Sequence, residues 1–87
     1  MKFGFKVNYM NKEIEKHTSL NFEDIYDELE IKLLEIYDSE NYTSINDILK
    51  DYDKQELTEK DFKEGFNFIN INDIVRLSVI LFYTEKE

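Results

Sequence analysis

The 87-residue chain lacks cysteine, proline, alanine and tryptophan, and it contains only two glycines and one histidine. Without cysteine the fold has neither disulfides nor a thiolate metal site, and nothing requires an oxidising compartment, so we expect a cytoplasmic protein. The isolated Gly4 and Gly65 exclude a glycine-rich loop that could cradle a phosphate. With His17 as the single histidine, the chain offers neither a histidine-based zinc site nor a nucleophile with its base.

Long apolar runs are also missing. The most apolar stretch, residues 74–83, has about half of the roughly 20 residues that cross a bilayer, and Arg76 interrupts it. Residues 1–9 alternate polar and apolar side chains instead of forming the apolar segment of a signal peptide. The sequence therefore predicts no membrane span and no targeting signal.

Bulky apolar side chains and acidic residues dominate what the chain does contain. Hydrophobic residues make up 41% of the sequence and include seven Phe and six Tyr, which is enough for one core. At this length we expect residues 1–87 to form a single domain. Phe, Tyr, Met, Ile, Asn and Lys account for 43 of the 87 residues, a bias that indicates an AT-rich genome: a low-GC bacterium, its phages or its mobile elements.

Two pairs of strands are predicted, one at each end of the chain. Residues 3–9 alternate apolar and polar side chains, and a weaker alternation over 13–19 follows an Asn-containing turn at 10–12. Residues 66–68 alternate again, and residues 74–83 form a run that is apolar on both faces, which is typical of a central strand.

Helix patterns fill the middle of the chain. Asn21 is placed to cap a helix in which apolar residues recur at helical spacing through about residue 38. Capping patterns that begin at Ser44 and Thr58 predict a second, shorter helix and a third helical turn that ends at Gly65. The order reads β-β-α-α-β-β, and the predicted fold class is α+β: a small antiparallel sheet of about four strands with the helices packed on one face.

The net charge of −9 is concentrated in the helical segment. Residues 21–61 contain fourteen acidic residues and four lysines, for −10, whereas residues 1–20 carry +2 and residues 62–87 carry −1. Such a segment repels nucleic acid, because binding to a phosphate backbone requires clustered Lys and Arg. We therefore expect no direct binding of DNA or RNA.

Candidate catalytic and metal sites fail on their spacing. Asp51, Asp53 and Gln55 resemble the start of a calcium loop, but Glu56 stands where glycine is needed and Phe62 where the bidentate glutamate is needed. Paired carboxylates catalyse acid and base chemistry only when one is buried in a cleft, and most acids here fall on outer faces. The sequence predicts no enzyme and no cofactor, and it leaves open a weak, nonspecific divalent-cation site.

The first predicted helix carries the most suggestive pattern. One side holds the core stripe, and the other presents an apolar centre surrounded by carboxylates. From Asp24 to Glu35 the row of charges is about 16 Å long, the length of a few backbone phosphates. With acidic and aromatic residues that follow the helix, the predicted partner-binding residues are Asp24, Asp27, Glu28, Ile31, Leu34, Glu35, Asp38, Tyr42, Asp51, Tyr52 and Asp53.

A simpler interpretation is that these charges only solvate an outer face. Against it stands their cost, because same-sign carboxylates at i,i+3 and i,i+4 destabilise a helix by a few tenths of a kcal/mol per pair. In its short length, AT-rich composition and acidic run from Asn21 to Asp61, the chain resembles the small acidic inhibitors of phages and mobile elements, anti-CRISPR proteins among them. The resemblance is one of character and transfers no functional residue. It implies a protein that occupies the nucleic-acid-binding surface of a host defence nuclease.

Three functional interpretations stay open at this point. The first is a non-enzymatic inhibitor that mimics DNA and docks its acidic helix on a basic, nucleic-acid-binding surface of another protein. The second is a structural adaptor that forms a homo-oligomer through a sheet edge or the apolar rear of the last strand. The third, an antitoxin or immunity protein, shares the physics of the first and differs only in its partner. A monomer or a homodimer fits these interpretations.

Overall fold

The fold confirms the predicted α+β class. The computed structural model describes residues 2–37, 40–69 and 77–85. Its four strands form one antiparallel sheet in the order β2-β1-β4-β3. The elements, in chain order, are β1 (Lys2–Tyr9), β2 (Lys12–Ser19), α1 (Phe22–Ile36), α2 (Ile45–Lys50), α3 (Glu59–Glu64), β3 (Asn67–Ile69) and β4 (Leu77–Thr84). The predicted third helical turn is thus a short helix of its own.

The sheet has one buried side, and the alternation of β1 defines it. Phe3, Phe5 and Val7 are at most 6% exposed, and they share this side with their neighbours on β4, Leu81 opposite Phe5 and Val79 opposite Val7. β4 lies between β1 and β3, which confirms its predicted central position. The part of that prediction that concerns residues 74–76 lies outside the described residues.

Helix α1 packs its apolar stripe against this buried side. Ile25, Leu29 and Leu33 recur four residues apart and are fully buried in the core that includes Phe5. The Asn21 side chain accepts hydrogen bonds from the first free N–H groups of the helix, which confirms the predicted N-cap. The polar side of α1 consequently points away from the sheet.

The start of α2 differs from its prediction. Ser44 occupies the N-cap position, but its side chain makes no capping hydrogen bond. The N–H of Ile45 instead donates to the Glu30 carboxylate on α1, at 3.0 Å. Nearby, the Asp47 carboxylate accepts from both the N–H and the hydroxyl of Thr43, at 2.9 Å each. A side chain from a different helix therefore replaces the local cap.

Helix α3 begins and ends as predicted. The Asp61 carboxylate accepts from the Thr58 N–H at 2.8 Å, and Gly65 ends the helix in the left-handed conformation, with φ of 77°. Asp61 is also buried, with 8% of its surface exposed, and Lys54 Nζ lies 2.6 Å from its carboxylate. Burial alone would raise the pKa of Asp61, but the hydrogen bonds from Lys54 and Thr58 outweigh it and hold the pKa below its usual value.

The other side of the sheet is not covered by these three helices. There the Phe82 ring lies across Gly4, its neighbour on β1. A Cβ atom on Gly4 would come within 2.3 Å of the ring and within 2.7 Å of the His17 carbonyl oxygen. Gly4 is thus required by two close approaches, one from a side chain and one from the backbone of β2.

The substitution Gly4→Ala tests this packing. We expect the free energy of unfolding to fall by about 1–3 kcal/mol, because the Phe82 ring can swing aside but the His17 carbonyl is held by the ladder. Urea unfolding measures the loss. The control is Thr18→Ala on the neighbouring strand, which should change stability by about 0.5 kcal/mol. Equal stability of the two variants would mean that the close approaches at Gly4 do not exist.

Candidate functional site

The outward side of α1 is the candidate site. Stepping 100° per residue, Asp24, Asp27 and Ile31 lie opposite the buried stripe, and all three are exposed, Ile31 by 61%. Glu28 and Glu35 are also exposed and flank this strip on the side nearer β2. We call the set of Asp24, Asp27, Glu28, Ile31 and Glu35 the acidic helix face.

The centre of the acidic helix face carries uncompensated charge. Within the described ranges, no Lys, Arg or His nitrogen lies within 4 Å of the carboxylates of Asp24 or Asp27. Asp24 lies in the first turn of α1, where the positive end of the helix dipole stabilises an anion. Folding therefore holds both charges on an outer surface beside an exposed isoleucine.

Lys32 compensates the acids at the boundary between α1 and β2. Its ammonium group lies 3.0 Å from Glu35 on its own helix and 3.0 Å from Glu15 on β2. Hydrogen bonds to Glu15 and then to Glu35 raise the pKa of Lys32. The pKa of Glu15 is lowered by hydrogen bonds, first from His17 and then from Lys32. Glu35 thus belongs to an ion-pair bridge and contributes less free charge than the sequence suggested.

Glu28 faces the same boundary. Its carboxylate lies 3.9 Å from His17 Nδ1, whose ring stacks on Phe5 at 4.9 Å between centroids, while His17 Nε2 lies 3.1 Å from Glu15. This histidine therefore sits between two carboxylates at the edge of the core. These contacts with Glu15, Glu28 and Phe5 are enough to explain the position of His17.

Two predicted anchors are placed differently from expectation. Leu34 is only partly exposed and packs against the core, so Ile31 alone supplies the exposed apolar centre of α1. Tyr52 is turned inward: its hydroxyl lies 2.7 Å from that of Tyr37 and 3.0 Å from both the N–H and the carbonyl oxygen of Ile69. Tyr52 therefore connects the end of α2 to the edge strand β3.

The buried tyrosine pair explains this placement. Burial, followed by the hydrogen bond to Tyr52, raises the pKa of Tyr37 well above its usual range, so its hydroxyl stays protonated. The hydroxyl of Tyr52 donates to the Ile69 carbonyl, and therefore Tyr37 donates to Tyr52. A side chain thereby satisfies backbone groups of β3, which has β4 as its only neighbouring strand among the described residues.

The remaining predicted residues form a second acidic patch after α1. Asp51 and Asp53 are exposed, and Tyr42 donates a hydrogen bond of 2.5 Å to Asp51. Asp53 adopts a left-handed conformation with φ of 56°, in the turn that ends α2. Asp38 lies outside the described residues, so its predicted role has no structural counterpart.

Sequence reasoning missed Glu30, Lys32 and Glu15 as residues that shape the site. The i,i+3 spacing of Lys32 and Glu35 was a readable signal for one of the ion pairs. Glu30 caps a helix fifteen residues away, and Glu15 meets Lys32 across seventeen. No local pattern predicts contacts at such separations.

Neither a grouped set of metal ligands nor a membrane-spanning helix occurs in the described part of the chain. Among its residues, no three His, Asp or Glu side chains are grouped to share a metal ion. None of its helices has the length and apolar character needed to cross a bilayer. Comparison with protein-family models, curated proteins and solved structures finds no match. Any functional proposal therefore rests on the residues of the acidic helix face.

Replacing Lys32 with glutamine tests the ion-pair bridge. Because the folded-state pKa of Glu15 is depressed, its contribution to stability is present above the ordinary pKa of 4.5 and is lost as pH falls through the folded value. In Lys32→Gln we expect the pKa of Glu15 to rise toward 4.5 and stability at neutral pH to fall by up to about 1 kcal/mol. NMR titration of the carboxyl carbons and urea unfolding across this pH range measure both effects.

Lys60→Gln serves as the control for Lys32→Gln. It removes a more exposed ion pair, to Glu64 at 3.7 Å, and should leave the titration of Glu15 unchanged. If Glu15 titrates identically in wild type and Lys32→Gln, then the bridge between α1 and β2 is absent in solution.

Proposed function

We propose that this protein is a non-enzymatic inhibitor that docks its acidic helix face on a basic, nucleic-acid-binding surface of a partner protein in the cytoplasm of a low-GC bacterial cell. The observation that carries the proposal is the exposed strip of Asp24, Asp27 and Ile31, in which two uncompensated carboxylates precede an exposed apolar side chain. Asp24 and Asp27 are three residues apart on one helix, and like charges at this spacing destabilise it by roughly a few tenths of a kcal/mol, a cost that solubility alone does not require.

Charge and apolar contact serve different steps of such docking. The negative potential steers a basic partner and speeds encounter, while Ile31 is positioned to be desolvated at the centre of the contact. Along α1 the carboxylates from Asp24 to Glu28 extend over about 6 Å, so they can replace about two phosphates of a bound strand. Inhibition then follows from occupancy, since the partner's nucleic acid and this helix compete for one surface.

Several features favour docking through a rigid surface. The core stripe of Ile25, Leu29 and Leu33 holds α1 in place, and the Lys32 bridge fixes one flank. A preorganised helix loses little conformational entropy on binding. The partner is a host defence nuclease or, for an antitoxin, a toxic nuclease; identification of the captured protein distinguishes the two.

The triple charge reversal D24K/D27K/E28K tests the proposal. We expect it to keep the fold, because these side chains are exposed, and to abolish capture of the partner from a host lysate. Capture by the wild-type protein should weaken between about 0.01 M and about 0.15 M salt, and duplex DNA should displace the captured protein. Circular dichroism verifies the fold of each variant.

A matched control separates the acidic helix face from net charge alone. E56K/E59K/E64K changes the net charge by the same amount on exposed residues outside α1, and it should capture the partner as the wild type does. Equal capture by the α1 variant and the control would show that α1 is not part of the interface.

A further inference from the structure

The uncovered side of the sheet has a character opposite to that of the acidic helix face. Cross-strand register places Lys6 beside Ile80 on β4 and Lys16 on β2, with Phe82 one row further along. Lys2 and the edge-strand residue Ile69 complete this surface. We call the set of Lys2, Lys6, Lys16, Ile69, Ile80 and Phe82 the open sheet face.

The charge of the open sheet face is positive on a molecule whose net charge is −9. Lys6 and Lys16 are directly opposed on neighbouring strands, an arrangement of like charges that destabilises a sheet. The described residues of this side include one acid, Glu13, which lies beyond the lysines near the hairpin turn. An anionic surface placed against the lysine pair would relieve their repulsion.

Apolar groups form the part of the open sheet face that lies on β4 and β3. Phe82 lies across Gly4, and Lys16 Nζ lies 5.4 Å from the centroid of its ring. Ile69 is 50% exposed, and Ile80 is partly exposed. The surface thus has a cationic half on β2 and β1 and an apolar half on β4 and β3, and none of the described helices packs on it.

The acidic helix face has the complementary arrangement. Ile31, which is 61% exposed, follows Asp24 and Asp27 on the outward strip of α1. The lengths also agree, since a helix of fifteen residues spans about 22 Å and a strand of eight residues about 26 Å. Opposite charges beside exposed apolar side chains, on surfaces of similar length, are what two docking surfaces need.

We propose that the open sheet face binds the acidic helix face of a second copy of this chain. Because the two faces lie on opposite sides of a two-layer molecule, the contact is heterologous, and each bound copy presents both faces again. The product is a head-to-tail chain whose length grows with protein concentration. Such an assembly covers the acidic helix face, which the proposed function also uses. The inference does not rest on that function, because self-association requires only the two faces described.

A charge-swap experiment tests the head-to-tail contact. K6E/K16E reverses the charge of the open sheet face, and D24K/D27K reverses the charge of the acidic helix face. Each variant alone should stay monomeric in sedimentation velocity at about 0.15 M salt. At this ionic strength, salt screens the repulsion between whole molecules more strongly than it screens opposite charges in direct contact. Mixed in equal amounts, the two variants should associate again, because each face then meets its opposite charge. The wild-type protein should associate with increasing concentration between about 1 μM and about 1 mM.

A milder substitution and further outcomes also test the head-to-tail contact. If K6E/K16E does not fold, K6Q/K16Q should still weaken self-association about tenfold. A wild-type protein that stays monomeric up to about 1 mM overturns the proposal, as does association that both charge reversals leave unchanged. So does a mixture that stays monomeric. Binding of a single-stranded oligonucleotide to a monomeric wild type, lost in K6Q/K16Q, would assign the open sheet face to nucleic acid instead.

Discussion

The contact between the apolar side of β1 and the apolar stripe of α1 fixes the direction of every charged surface in this protein. Phe5 and Leu29 are fully buried in one core, and neither side chain can leave it without a large loss of apolar burial. Since helix and strand periodicities leave each element a polar side, burial of the apolar sides turns the acids of α1 outward. On the other side of the sheet, the same contact exposes the lysines of β1 and β2.

Local ion pairs divide the acidic residues into two groups. Lys32 and Lys54 compensate acids at the boundaries between elements, where Glu15, Glu35 and the buried Asp61 would otherwise lack an opposite charge. The acids left on the outer strip of α1 have no such compensation within the described residues. Charge that the fold does not use internally is available for a partner, and this is the physical basis of both proposals.

Much of the fold could be predicted from the sequence because the deciding patterns are local. The alternation of β1, the period of α1 and the end of α3 at Gly65 each depend on residues within a few positions of one another. The inward position of Tyr52 could not be predicted, because its partner Ile69 lies seventeen residues away. The sequence also could not predict which side chains of β2 face the helices, because the pairing with β1 and a bulge beside Val7 decide this.

The central claim is that the acidic helix face is the surface that touches a basic partner. Zero-length carbodiimide cross-linking of the captured complex, followed by peptide mass spectrometry, measures this contact directly, because it joins carboxylates only to amines in immediate contact. The account predicts cross-links from Asp24 and Asp27 to lysines of the partner's nucleic-acid-binding surface. Cross-links that arise instead from Glu56, Glu59 or Glu64, with none from α1, would contradict it.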